Sequence, residues 1–240
     1  MEEYAKKLAT EYKVNSYSSK KNFPREKIKD DFNTITKAYR FLTESVEKNV
    51  PISLAGEWLL DNYYIIEEQV GYILNSLDIK TYKKLPAING KSRIAIICEE
   101  FVEYNDGYIS KENIEKFFNA YQTKDVFIQA ELYELELYLQ IALVNKIKKV
   151  SDKIIKNQLQ KFKVESLIER TIRKNKLENQ KFYKYKDIKL KNEVGSYVEH
   201  LFYKLKKMGR KAKKYLEILE EEINKAVALR IKLLNQCILK

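Results

Sequence analysis

From Tyr108 to Val194 the chain contains neither glycine nor proline, and no other feature limits its fold as strongly. A stretch so poor in residues that reverse or break the backbone cannot supply the frequent tight turns of an all-β domain, whereas it suits long helices. All 240 residues include only 6 Gly and 3 Pro, while 45% are hydrophobic, enough for a real core in one or two domains. The expectation is an all-α protein, a multi-helix bundle with long Gly/Pro-poor helices. Its expected divisions are an N-terminal helical lead-in over 1–50, a helical core over 51–150, and a basic helical extension over 151–240 packed on that core. Strand signals are confined to short runs such as Ile94-Ala-Ile-Ile97, and an apolar run that short does not by its period separate strand from buried helix. Glu99, Glu100 and Phe101 continue the run, which favours helix. At Asp106-Gly107 a tight turn is expected, with Gly107 at positive φ and Ser110 capping the helix that carries Ile114, Phe117, Phe118 and Tyr121.

The segment Leu54-Ala-Gly-Glu-Trp-Leu-Leu-Asp-Asn-Tyr-Tyr-Ile-Ile-Glu-Glu-Gln-Val70 carries the single tryptophan of the chain. Leu59, Tyr63, Ile66, Val70, Ile73 and Leu77 recur at alternating steps of four and three, the spacing of one buried stripe on an amphipathic helix. Pro51 as a breaker and Ser53 as an N-cap place the helix start near Leu54. Glu57, Asp61 and Glu68 lie away from that stripe. A pair such as Glu57 and Asp61 at i,i+4 has the spacing to hold a metal or share acid/base work, but a solvated charged face is far commoner. Trp58, Asp61, Asn62 and Gln69 stand off the centre of the stripe. Because a buried amide or carboxylate left unpaired costs about 1–3 kcal/mol, Asp61 and Asn62 are expected to make specific hydrogen bonds, to neighbouring helices or to a partner.

Several chemistries find no support. No window holds the 18 or more apolar residues of a membrane span, and Met1-Glu-Glu lacks the order of a signal peptide, so a soluble cytoplasmic chain is expected. Cys98 and Cys237 are too few for a disulfide framework and lack metal-ligand spacing. The one histidine, His200, sits beside Leu201 in a helical pattern, where a structural or surface role is far commoner than general base catalysis. An EF-hand register around Gly107 would place Val102 and Asn113 where a carboxylate and a bidentate Glu are required, so calcium is excluded there. With no Gly-rich phosphate loop, Ser/His/Asp constellation or Asp-x-Asp motif, no catalytic, cofactor-binding or metal residue is assigned.

Charge divides the chain. Residues 1–145 hold 19 Lys/Arg against 23 Asp/Glu, whereas residues 146–240 hold 27 against 11 and account for the net +12. From Lys146 to Lys176 lysines alternate with a helical apolar series through Ile147, Val150, Ile154, Phe162, Leu167 and Ile172. From Lys181 to Lys191 they interleave with Phe182, Tyr183 and Tyr185. Such a surface suits anionic lipid or nucleic acid. Nucleic acid is the weaker fit, because 39 Lys against 7 Arg leaves the bidentate base-reading side chain scarce.

The Leu54–Val70 segment resembles a stretch near the start of the bacterial cyclic β-1,2-glucan synthases. Phe101-Val-Glu-Tyr-Asn-Asp-Gly-Tyr-Ile-Ser110 with Phe117-Phe-Asn-Ala-Tyr-Gln122, and Ile128 through Ile147, are similar to later segments of the same enzymes in the same order. Tyr133 stands where the family has Trp, and Glu134 and Glu136 where it commonly has apolar residues. Tyr197-Val-Glu-His-Leu201 and Tyr215 to Ile223 resemble a further pair of helices. The likeness runs over about residues 39–224 and stops before the segments that the family uses for transfer, ring closure and phosphorylase-like chemistry.

What the resemblance implies is a non-catalytic cytoplasmic N-terminal scaffold or docking region of a membrane-bound enzyme that transfers glucose from UDP-glucose to a growing β-1,2-glucan. The implied partner is the membrane-embedded glycosyltransferase part of that enzyme, at the inner face of the cell membrane, with an anionic membrane surface as a second contact. Trp58, Leu59, Asp61, Asn62, Glu67, Glu68 and Gln69 are the residues expected to serve docking or structure. The alternative is a freestanding helical interaction protein whose basic surface meets anionic membrane or nucleic acid.

Overall fold

A computed structural model describes residues 1–177, 195–213, 215–217, 219–221 and 223–224. The expected lysine and aromatic stretch from Lys181 to Lys191, and Cys237, lie outside these residues. The chain divides into two compact units. Unit 1 comprises Met1–Glu44 and Ile52–Ile154, and unit 2 comprises Ser45–Pro51 and Ile155–Lys240.

The helices are α1 Glu2–Glu11, α2 Arg25–Glu47, α3 Leu54–Ser76, α4 Ile79–Tyr82, α5 Arg93–Tyr104, α6 Lys111–Gln122, α7 Gln129–Tyr133, α8 Leu135–Leu177 and α9 Gly195–Lys207, with 3₁₀ turns at Lys20–Asn22 and Gly209–Ala212. The helical expectation holds. Ile94–Ile97 lies inside α5, and the long α8 occupies the tract free of glycine and proline. Ser110 caps α6 by accepting from Asn113 N at 3.2 Å, and Gly107 has φ 83° after Asp106 at 50°. The positive φ values follow from the turn chemistry of Asp-Gly, and the cap from the serine hydroxyl ahead of the helix.

One small sheet was not expected. Strands β1 Ser16–Tyr17, β2 Pro86–Ile88 and β3 Lys91–Ser92 run antiparallel in that order, with Ser16 opposite Ala87 and Ile88 opposite Lys91. The β2–β3 turn is Asn89-Gly90, both at positive φ (54° and 79°), the two-residue hairpin for which Asn-Gly is the strongest short signal. Asn15 pins this turn from a distant part of the chain, since its Oδ1 accepts from Asn89 N at 2.9 Å.

Within unit 1, α1 packs on α6 through Ala5, Leu8 and Ala9. Tyr4 and Tyr12 both donate to the Glu100 carboxylate on α5, and Tyr4 stacks on Tyr104 with centroids 4.8 Å apart. Phe101, Phe117, Phe118, Tyr121 and Phe127 form a continuous aromatic cluster with neighbouring centroids 4.7–6.0 Å apart. Such offset and tilted rings add about 0.5–1.5 kcal/mol per pair beyond burial.

Beside this cluster the first residue of α5 is a buried cation. Arg93 is 3% exposed and Glu131 is 0% exposed. Arg93 Nε donates to Glu131 Oε1 at 3.0 Å and Nη2 donates to Glu131 Oε2 and to the Val126 carbonyl; Nη1 meets Asp125 Oδ1 at 2.9 Å. The guanidinium lies 5.0 Å from the Phe127 ring centroid. Burial opposes the charge of Arg93, but the hydrogen bonds and charges of Glu131 and Asp125 outweigh it and hold the guanidinium more firmly protonated than usual. Glu131 Oε2 also accepts from Ile128 N at 3.0 Å, satisfying a donor at the entrance of α7.

Unit 2 has its own core of Val164, Leu201, Leu205, Ala212 and Leu219, against which Val198, Phe202, Met208 and Tyr215 pack. Glu165 faces that core's edge and accepts from Lys204 at 2.6 Å while paired with His200 Nε2 at 2.9 Å. His200 is buried, a structural histidine as expected. Burial raises the Glu165 carboxyl, but the Lys204 and His200 contacts overcome it, leaving its pKa below the ordinary carboxylate value.

Two outcomes are expected. Arg93→Met strands the Glu131 carboxylate and lowers stability by about 3–5 kcal/mol, while Arg93→Met with Glu131→Gln recovers part of the loss, as urea denaturation will read. Because the folded Glu165 carboxyl is depressed, its stabilisation is present above its unfolded value of about 4.3 and is lost as pH falls through the folded value. Melts of wild type and Glu165→Gln will therefore differ at neutral pH and converge in acid.

Candidate functional site

Helix α3 begins where Pro51 and Ser53 place it. Ser53 Oγ accepts from Gly56 N at 3.2 Å, and the helix stops at Leu77, after which Asp78 caps α4 by accepting from Thr81 N at 2.8 Å. Gly56 sits close to α2, where an added Cβ would come 3.0 Å from Leu42 Cδ2.

The inner face is the predicted stripe. Leu59, Ile66, Val70, Ile73 and Leu77 are buried, and Tyr63 is inserted between rings of α2, stacking on Tyr39 at 4.1 Å and bonding Thr36 Oγ1 at 2.9 Å. Burial of each such side chain stabilises by about 1.5–3 kcal/mol, so this face accounts for the attachment of α3 to its unit.

The opposite face has a second stripe of the same spacing. Leu54, Trp58, Asp61, Ile65, Glu68, Tyr72 and Asn75 follow steps of four and three, and all are exposed, Leu54 by 83% and Trp58 by 52%. Tyr64 and Glu57 flank it, both exposed, and an added Cβ at Gly71 would meet nothing within 4 Å. From Leu54 to Ser76 the helix carries Glu57, Asp61, Glu67 and Glu68 and no Lys or Arg, in a chain with 46 of them. The outer face is thus apolar, aromatic and acidic together.

The seven residues singled out from sequence are divided by this geometry. Leu59 is core; Trp58, Asp61, Glu67, Glu68 and Gln69 point to solvent, and Asn62 is half-buried. Among the described residues Asp61 and Asn62 make none of the hydrogen bonds expected to neighbouring helices. Asn62 Nδ2 donates to Trp58 O, one turn back in its own helix, at 2.8 Å, and Asp61 has no hydrogen bond or ion pair among the described residues. The physical reason is solvation: neither carboxylate nor amide is buried deeply enough to need a protein partner. Trp58 likewise contributes less to the core than its size allows.

Other clusters are internally satisfied. A surface depression of about 480 Å³ is lined by Glu103, Asp106, Lys146, Lys149, Val150, Asp152 and Lys153. Lys146 reaches Asp106 at 2.6 Å and Lys149 reaches Glu103 at 3.0 Å, tying the end of α5 and the turn after it to α8, while Lys148 pairs with Asp152 at 2.8 Å within α8. Cys98 is buried, and burial, with Glu99 adding to it, pushes its thiol well up, away from reactive thiolate. Sequence reasoning missed the Arg93 cluster; the available signal was one arginine opening an apolar helix with acids at Asp125 and Glu131. It also missed the outer stripe, because Asp61 and Glu68 interrupt the apolar positions that would have marked it.

No family model matches the chain. The chain is 21% identical over 155 residues to the cyclic beta-(1,2)-glucan synthase NdvB of Rhizobium meliloti (strain 1021), a match that covers 63% of this chain and 6% of that protein. The chain thus spans a small part of the curated relative it matches. Among the described residues no helix is long and apolar enough to cross a membrane.

The two faces of α3 predict a contrast in stability. Leu59→Ala and Ile66→Ala should each cost about 2–5 kcal/mol in denaturant melts, while Ile65→Ala, Glu68→Ala and Tyr72→Ala stay within about 0.5 kcal/mol of wild type.

Proposed function

We propose that the chain is a non-catalytic helical docking region akin to the one ahead of the catalytic parts of a cyclic β-1,2-glucan synthase, acting at the inner face of the cell membrane. The observation that carries this reading is the division of α3. Of the residues through which it resembles those enzymes, Leu59, Ile66 and Val70 are spent on the core, whereas Trp58, Asp61, Tyr64, Glu67, Glu68 and Gln69 contribute little to it. Exposed large aromatics in one row carry a solvation cost that a contact would relieve. The transfer of glucose from UDP-glucose belongs, in this reading, to the membrane-embedded part that α3 meets.

A second contact is favoured by charge. Unit 2 holds 24 Lys/Arg against 11 Asp/Glu, and on α9 Lys206 and Lys207 lie over the rings of Phe202 and Tyr203 at 4.5 and 4.9 Å. Lysine over aromatic rings suits an anionic lipid surface, at about 1 kcal/mol per cation near the headgroups. Nucleic acid suits it less, given the shortage of arginine.

The test is sedimentation of the whole chain with membranes carrying NdvB from which the matched stretch has been deleted. The chain is expected in the pellet with these membranes well above its level with membranes lacking NdvB. Equal recovery from both would overturn docking on the synthase. Recovery from both that disappears at high ionic strength would assign the chain to lipid alone.

A further inference from the structure

We infer that the outer face of α3 receives a lysine- or arginine-bearing amphipathic helix of about three heptads. The inference rests on the docking reading for its biological setting, but its chemistry comes from α3 itself. Positions 58, 65 and 72 are Trp, Ile and Tyr at spacings of seven, and positions 54, 61, 68 and 75 are Leu, Asp, Glu and Asn at the same spacing. Together they form the alternating seam by which helices pack knobs into holes. The seam runs nearly the whole length of α3, about 30 Å at 1.5 Å per residue.

A seam of this kind selects its partner through its polar positions. Trp58, Ile65 and Tyr72 can seat any apolar residue, so they provide area with little discrimination. Asp61 and Glu68 cannot be covered by an apolar side chain without stranding a carboxylate, which the partner must therefore neutralise. Glu57 and Glu67 add negative charge on either flank, and Trp58 and Tyr72 offer ring faces to the stems and heads of lysine or arginine. The geometry fits a helix with apolar residues facing 58, 65 and 72 and cations facing 61 and 68.

Two other occupants fail on the same grounds. A second copy of α3 would bring four acids against four acids with no cation on either helix, and like charges along a packed seam cost several kcal/mol. An anionic bilayer would meet the same acids and be repelled, whatever the aromatics contributed.

The experiment uses the whole chain and two synthetic three-heptad helical peptides, identical except that their polar seam positions are Lys in one and Glu in the other. Trp58 is the only tryptophan and is half exposed, so its emission reports burial of the seam directly. The Lys peptide is expected to shift that emission to the blue and to bind at least about tenfold tighter than the Glu peptide, with a preference that shrinks as salt rises. In Asp61→Lys/Glu68→Lys, whose two sites are solvent-exposed and whose helicity is checked by circular dichroism, the preference should reverse to the Glu peptide. Reversal cannot arise from unfolding. Equal binding of both peptides, binding of neither, or a double variant that keeps the wild-type preference would each overturn the inference. A chain that sediments with the NdvB membranes yet ignores both peptides retires this face while leaving docking intact; one that selects the Lys peptide but fails to sediment does the opposite.

Discussion

Arg93 is the fixed point of unit 1. A guanidinium taken out of water must recover its hydration energy from the protein, and here five contacts do so: Glu131 through two oxygens, Asp125, the Val126 carbonyl and the Phe127 ring. All of these partners sit on the short connection between α6 and α8 or on α7 within it. The charge therefore locks this connecting segment onto the start of α5, beside the buried ring of Phe127. From there the aromatic cluster through Phe101, Phe117 and Phe118 carries the packing to α6, on which α1 rests. Removing the cation would leave a buried carboxylate, so the site is defended by the cost of breaking it more than by any net gain from making it.

The parts of the fold legible in the sequence are those with local causes. The positions of Ser53 and Ser110 one residue ahead of an apolar period are enough to start α3 and α6, and the lack of glycine and proline between Gly107 and Gly195 permits the long α8, although α6 and α7 both end within the same tract. The sheet is different in kind. Its strands are two or three residues long, and β1 pairs with a partner seventy residues away, so periodicity carries no trace of it. The Asn89-Gly90 turn was nonetheless readable, being a local signal whose flanking strands are too short to confirm it. Arg93 and Glu131 stand 38 residues apart and belong to no motif; only the tertiary structure shows that they meet.

The same distinction applies to α3. Its inner stripe is a clean apolar period and was legible, whereas the stacking of Tyr63 on the α2 rings shows only in the structure. The outer stripe has the same period but alternates aromatic and acidic residues, and a pattern judged by hydrophobicity alone averages these to a solvated face. Asp61 and Asn62 belong to this side: Asp61 is exposed, and the half-buried Asn62 donates to Trp58 O of its own helix rather than to a neighbouring one.

Charge distribution gives the two-sided helix its meaning. Unit 1 is almost neutral, with 22 Lys/Arg and 23 Asp/Glu, while unit 2 carries a net +13. In a chain so rich in lysine, a 23-residue helix bearing four acids and no base stands apart from its surroundings. An acidic face with no cation of its own leaves its negative potential available to a partner, and exposed aromatics beside it convert that attraction into short-range packing. A lysine placed at position 61 or 68 would leave the core stripe, the caps and the Tyr63 stack untouched, since those sites lie on the far side of the helix. The fold of α3 and the polarity of its outer face are thus separable properties of one helix, and only the fold is accounted for by the contacts within unit 1.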